Sequence, residues 1–510
     1  MKPIVHFGDE TIGASAFFDR YVRAAAALAD AGIGAGDVVA LALRNEPVLL
    51  ELMLAARWLG ARWCMINWHF KAGEVRHILS DSGAKVLVVH ADLVAQMRDG
   101  VPAGVRVFAV DPLPHTRAAF DLDDAALHAA LGLERWDAFR DGRERHAAPQ
   151  GMPGSAMLYT SGTTGLPKGI RRNAATPEQL RLAIEMCRTA LGIEPGMRTL
   201  ISAPLYHAAP VSYIVQAALH DDAQIWIEPR FDAEATLRLI EAQRITHAYL
   251  VPTMFQRLLR LPPEVRARHD LSTLRFVAST GSPCAPQIKE RMIAWWGPVI
   301  HEAYAASELG YITHIDSHEA LRRPGSAGRA IPGVALKVLS ADGTALPAGS
   351  VGTIYARQAA TPDFNYGHDA QARAKIERDG LWTLGDMGYL DDEGYLFIVD
   401  RQSDLVISGG VNIYPAEIES VLATMPEVAD CAVFGIPDEE FGEALLAAVQ
   451  PAEGAMPSAE QVQAYLRERI AGYKVPRHVV FHAELPREET GKIYKRRLRD
   501  PYWAHLDRRV

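Results

Sequence analysis

Eleven consecutive residues, Tyr159 to Gly169 (YTSGTTGLPKG), combine the hydroxyls of Thr160, Ser161, Thr163 and Thr164 with Gly162, Gly165, Gly169 and the ammonium of Lys168. That mixture suits a polyphosphate. Glycines admit positive φ and close backbone approach, successive N–H groups form an anion nest, hydroxyls add donors, and a lysine adds a point charge. The spacing is not that of a Walker A loop: Pro167 stands where that loop needs glycine, and Gly169 where it needs Ser or Thr. This argues against a P-loop NTPase. A second turn, TGSPCAP from Thr280, has Gly281 and Ser282 placed so that the backbone can lie against a flat ring.

Both turns need strands to deliver them. The apolar run Ala156 to Tyr159 predicts a buried strand leading into the first, and a strand over 276–279 leads into the second. Upstream, Phe17, Tyr21, Ala24 and Leu28 recur at helical spacing, and 38–43 reads as a strand covered on both faces. Asn45 is placed to cap a helix that begins at Pro47 and ends near Gly60. Further strands are expected over 85–89, 105–110, 199–202, 224–227 and 247–251. The pattern predicts an α/β fold with mostly parallel sheets, whose ligands sit at the carboxyl ends of strands. After Pro415, Ile418, Val421 and Leu422 give an amphipathic helix, and strands near 429–434 and 445–449 complete a smaller α/β module.

The chain of 510 residues suggests about three lobes of ~150 residues each. A hydrophobic content of 49% with 23% charged residues fits a soluble globular protein, and the net charge of −9 argues against a nucleic-acid surface. Cys64, Cys187, Cys284 and Cys431 have no metal-ligand spacing and are expected to be reduced and largely buried. The start MKPIVHFGDETIG lacks an apolar core of the secretory kind, and no run of about 18 uncharged apolar residues follows, so a cytoplasmic chain without a membrane span is expected.

The loop at 159–169 is similar to the phosphate loop of the adenylate-forming superfamily, which includes acyl-CoA synthetases, peptide-synthetase adenylation domains and luciferases. Four further motifs follow in that family's order and extend the resemblance over nearly the whole chain. EAYAASELG, 302–310, implies that Tyr304 stacks on adenine, while Ser307 and Glu308 face the phosphates and Mg²⁺. Ala303 and Ala305 replace glycines common there, so their methyls are expected to narrow or shorten the acid pocket. LWTLGDMGYL implies that Asp386 accepts both ribose hydroxyls, although Leu384 stands where threonine is usual. DRQSDLVISGG resembles the family hinge, with Arg401 toward ribose or phosphate, Ser403 at a pivot usually occupied by Asp or Lys, and Gly409 and Gly410 lining a thiol's route. LPREETGKIYKRRLR supplies Lys492 as the catalytic lysine.

The resemblance implies ATP-dependent carboxylate activation to an acyl adenylate, then transfer to a thiol. Lys492 is expected to meet the developing charge, Glu308 and Thr160 to lie on the metal side, and His207 in PLYHAAP to gate the acid pocket. ATP, Mg²⁺ and CoA are the implied cofactors. CoA is favoured as acceptor because no carrier module follows Val510. Loading of a separate carrier protein, a luciferase-like oxidation of the adenylate, and a catalytically silent nucleotide-binding regulator are the competing readings. The acid is expected to lie among His207, Thr253, Met254, Ser279, Thr280 and Ala305. No aspartate stands there to pair an α-amine, so a compact aryl, branched or medium-chain acid is expected. Expected domains are 1–400, with sub-lobes about 1–150 and 151–400, and a mobile 401–510. The sequence leaves oligomeric state open, a homodimer included.

Overall fold

The computed structural model describes residues 2–147, 151–160, 168–367, 370–409, 411–487 and 493–504. It has the expected α/β class. The strand Val38–Ala42 (VVALA) is buried at all five positions, as both-face coverage requires. It pairs in parallel with Arg62–Met65 and Val86–His90. Ala156–Thr160 joins the same sheet beside Arg62–Met65, and Lys168–Arg172 and Phe364–Tyr366 add to its edge in antiparallel.

A larger sheet has a parallel centre in the spatial order Ile4–Phe7, Gln224–Ile227, Arg198–Ile201, His247–Tyr249, Phe276–Ser279 and Ile300–Ala306. Beyond it the sheet continues in antiparallel through Gly310–Ile315 to the hairpin Asp386–Leu390 and Tyr395–Arg401. Chain order and sheet membership therefore interleave. The first strand lies in the larger sheet, and the strands around residue 160 lie in the smaller one. A third sheet, built from Val406–Ser408, Val411–Ile413, Val428–Asp438, Gly442–Pro451 and His478–Phe481, has its own apolar cluster of Val406, Ile413, Ile418, Leu422, Val433 and Leu466.

Asn45 does not cap the helix Pro47–Trp58. Glu46 occupies the capping position, and no side chain caps the helix. Asn45 instead spans the two large sheets: Nδ2 donates to the carbonyls of Ala203 and Glu228 at 3.0 and 3.1 Å, and Oδ1 accepts from the Leu205 N–H at 2.9 Å. A fully buried amide that satisfies three backbone groups fills its hydrogen-bonding capacity better there than at a helix end. Gly192 ends the helix Pro177–Leu191 at φ +68°, and a Cβ there would stand 2.4 Å from the Phe276 ring.

That ring belongs to a stacked column on neighbouring strands. Phe276 and His301 lie 3.7 Å apart and nearly parallel, His301 Nδ1 and His314 Nε2 are 3.1 Å apart, and His247 lies on the other side of Phe276. Burial depresses all three imidazoles, His247 and His301 to about 4, with Arg275 adding to the effect at His247 and His314 at His301. Glu194, Asp316 and Glu319 are the carboxylates around the column. The unfolded chain, with imidazoles near 6.5, then binds more protons than the folded one between about 4 and 6.5. Stability from this column is complete above pH 6.5 and falls as the pH drops through that window, by at most about 3 kcal/mol for His247 alone. Urea unfolding at pH 7 and pH 5 measures the drop, and His301→Phe is expected to flatten it.

Candidate active site

Strands Ala156–Thr160 and Lys168–Arg172 form a hairpin in which Tyr159 faces Gly169 and Thr160 faces Lys168. The base is fixed by Tyr159, whose hydroxyl donates to Asp81 Oδ2 at 2.6 Å. Gly169 has no room for a side chain, since a Cβ would stand 2.9 Å from Asp81, Met157 and Tyr159. Ser161, Gly162, Thr163, Thr164 and Gly165 lie outside the described residues, as do Gly410 and Lys492.

From the hairpin base the network runs inward. Lys168 Nζ sits 5.7 Å from the centre of the Tyr366 ring, and the Tyr366 hydroxyl donates to Glu308 Oε1 at 2.9 Å. Glu308 is buried, and burial raises its carboxyl above the usual range. Arg172, at the other end of the strand that begins with Lys168, donates to the Ser307 carbonyl at 2.5 Å. Neither Tyr366 nor Arg172 was among the residues expected from sequence. Only the pairing of Phe364–Tyr366 with Lys168–Arg172 brings them to Glu308.

A second corner is built across the hairpin in which Asp386 and Arg401 are direct cross-strand partners. Arg401 Nε donates to Asp386 Oδ1 at 3.2 Å, and the Tyr304 hydroxyl donates to Oδ2. Burial, reinforced by the Asp386 charge, pushes the Tyr304 phenol well up. Asp386 itself is buried.

The remaining expected residues follow four strands that are parallel neighbours. His207 comes after Arg198–Ile201, at the start of the helix Ala208–Ala218, its ring 4.3 Å from that of Tyr206. Thr253 and Met254 open the helix after His247–Tyr249. Buried Thr280 and Gly281, at φ +97° with open space around it, follow Phe276–Ser279, with Ser282 next. Ser307 and Glu308 follow Ile300–Ala306, in which Ala303 is buried and Ala305 partly so. All four groups therefore lie at one end of the sheet, the carboxyl end where open α/β folds bind ligands. Gly409, at φ +57°, donates its N–H to the Phe441 carbonyl at 2.8 Å, and a Cβ there would meet the Phe441 ring at 3.0 Å.

A metal fits on the Glu308 side. The carboxylate offers hard oxygen acceptors, and Mg²⁺ is characteristically held by one or two such groups together with substrate phosphates. Among the described residues no group of three His, Cys, Asp or Glu side chains could cage an ion unaided.

The AMP-binding enzyme family matches residues 1–361, and its C-terminal domain matches 417–492. The chain belongs to the AMP-binding enzyme family. Within it, the indoleacetate–CoA ligase of Aromatoleum aromaticum is 35% identical over 97% of this chain and 94% of its own. A long-chain-fatty-acid–CoA ligase of Mycobacterium tuberculosis is 32% identical over 94% and 91%. The crystal structure of ATP-bound MatB from Rhodopseudomonas palustris superposes with a TM-score of 0.83 at 27% identity, covering 98% of this chain and 96% of that one. This AMP-binding enzyme is an AMP-forming acid–thiol ligase that uses ATP, Mg²⁺ and CoA, as the motif order implies. Its four cysteines are free and buried, and among the described residues no helix is long and apolar enough to cross a membrane.

Proposed function

We propose that the acid is a compact aryl, branched or medium-chain carboxylic acid without an α-amine. The observation that carries this is the set of side chains beyond the four strand ends. His207, Thr253, Met254 and Thr280 stand there with Ser279 and, inside the fourth strand, Ala305, and none of these six is a carboxylate to pair an ammonium. Glu308, which follows the same strand, accepts from Tyr366 and is read as the metal-side acid. The methyls of Ala303 and Ala305 occupy space that glycine would leave open.

In the first step a carboxylate oxygen attacks the α-phosphorus of ATP. The acyl–phosphate bond forms, the α–β anhydride breaks, and pyrophosphate leaves. Asp386 and Arg401 orient the ribose, Tyr304 flanks the adenine, and the loop at 160–168 holds the departing phosphates. Lys492 stabilises the charge that develops between carboxylate and α-phosphate. Glu308, with Thr160, would hold Mg²⁺, which supplies neutralisation of the pyrophosphate charge. In the second step residues 401–510 turn about the segment at Ser403, Lys492 withdraws, and the face bearing Gly409 and Gly410 admits the CoA thiolate. The thiolate attacks the acyl carbon, the C–O bond to phosphate breaks, and AMP leaves. We place this chemistry in the cytoplasm, where thiols such as the four buried cysteines stay reduced.

A panel of indoleacetate, benzoate, octanoate, palmitate and phenylalanine, with ATP, Mg²⁺ and CoA, tests the acid class through AMP release and the mass of the thioester. Turnover is expected with the compact acids and is expected to be weak with palmitate and phenylalanine. Comparable turnover of palmitate and benzoate would remove the proposed acid class. A parallel arm with a phosphopantetheinylated carrier protein in place of CoA is expected to yield no acyl carrier.

A further inference from the structure

Arg172 ends the strand that Lys168 begins, opposite Phe364 of the neighbouring strand. Its guanidinium forks between two segments that are remote in sequence. Nη2 donates to the Ser307 carbonyl at 2.5 Å and Nη1 to the Pro362 carbonyl at 3.2 Å. Among the described residues it forms no carboxylate ion pair. Glu308 is the acid whose field reaches it, and burial brings its pKa down to about 10. Placing a dehydrated cation on two neutral carbonyls is costly, and the fork's planar geometry is what it contributes in return.

The Ser307 carbonyl belongs to the turn between Ile300–Ala306 and Gly310–Ile315, the turn that presents Glu308. One five-residue strand therefore has the phosphate-side lysine at its head and a brace under the Glu308 turn at its foot. The Pro362 carbonyl lies just before Phe364–Tyr366, the strand that supplies Tyr366 to Glu308. Both backbone segments that orient the Glu308 carboxylate thus hang from one guanidinium.

We propose that Arg172 is a positioning residue that sets Glu308 for the metal–nucleotide complex by bracing the Ser307 and Pro362 carbonyls. This rests on the reading of Glu308 as the metal-side carboxylate. Calorimetric binding of a non-hydrolysable ATP analogue, with and without Mg²⁺, tests it in Arg172→Lys, Arg172→Met and Glu308→Gln, alongside the KM for the acid. Arg172→Met is expected to lose about tenfold of the affinity gained from Mg²⁺, while the acid KM stays within about twofold. Arg172→Lys keeps the charge but cannot span both carbonyls, so it is expected to lose nearly as much. Should Arg172→Met not fold, Arg172→Lys decides alone. An undiminished Mg²⁺ gain in the Arg172 variants, or full rescue by lysine, would overturn the proposal. If Glu308→Gln keeps the whole Mg²⁺ gain, the reading of Glu308 itself is lost.

Discussion

In the Lys492→Ala enzyme, acyl-AMP formation is expected to fall by about 10²- to 10³-fold, while thioester formation from supplied acyl-AMP stays within about twofold of wild type. The asymmetry follows from how the lysine is carried. Arg487 and Ile493, the described residues on either side of it, pair in antiparallel, so the two flanks of the lysine segment are held together. Arg487 is tied to Asp430 at 2.6 Å, and Leu485 and Ile493 pack with Phe434, Ile436 and Leu446. Behind them the helix Lys495–Trp503 is fixed by Lys495 to Glu419 at 2.8 Å and by Trp503 to the Gly435 carbonyl at 3.1 Å. Every one of these anchors lies on the C-terminal sheet or on its helices.

The described residues on either side of Lys492 are therefore held to the small unit, and on the proposed reading the cation nears or leaves the phosphates as that unit turns. The segment after Arg401 is suited to give. Ser403 is exposed, its hydroxyl reaches only its neighbour Asp404 among the described residues, and Arg499 holds its carbonyl at 3.2 Å. A transition-state contact worth about 3 to 4 kcal/mol would be made in one orientation and be irrelevant in the other. Acid-dependent ATP–pyrophosphate exchange reads the first half-reaction, and thioester formation from synthetic acyl-AMP reads the second. Equal losses in both would contradict a turning domain.

Which parts of this molecule were readable in sequence follows from the range of the interactions. Strands such as Val38–Ala42, Gln224–Ile227 and Phe276–Ser279 announce themselves because burial on both faces demands uninterrupted apolar residues. The strand Ile300–Ala306 (IHEAYAA) does not, because its polar residues are satisfied only by distant partners, Glu302 by Lys289 and His301 by the Phe276 ring, while Tyr304 faces Asp386. Asn45 carries a helix-start signal that is overridden once a second sheet arrives with carbonyls to satisfy. The family resemblance pointed to Asp386, Tyr304 and Arg401, and the fold brings those three side chains together across the sheet, from the hairpin and from Ile300–Ala306, with two strands between them. Arg172 and Tyr366 belong to no motif, and the bond from Arg172 to Pro362 crosses 190 positions in the chain. Only the finished sheet makes that contact.

The second large effect is expected at Asp386. Wild-type enzyme should prefer ATP over 2′,3′-dideoxy-ATP by about 10²-fold in the exchange reaction, and Asp386→Ala should treat the two alike. An ionised carboxylate has two oxygens and about four acceptor sites, and here one site on each oxygen is taken, by Arg401 and by Tyr304. Each oxygen keeps a lone pair for one ribose hydroxyl. Two charge-assisted bonds at about 1.5 to 3 kcal/mol each would exceed the preference predicted, the remainder being lost to dehydrating a carboxylate already buried. Because Arg401 and Tyr304 hold the acceptor from the protein side, the carboxylate is oriented before the nucleotide arrives, and little of the binding energy goes to arranging it. Asp386→Asn separates charge from shape: one oxygen remains, so about tenfold of the preference should survive. If Asp386→Ala weakened both nucleotides equally and left their ratio near 10², the ribose contact would have to be made elsewhere, and the aspartate would be holding only Tyr304 and Arg401.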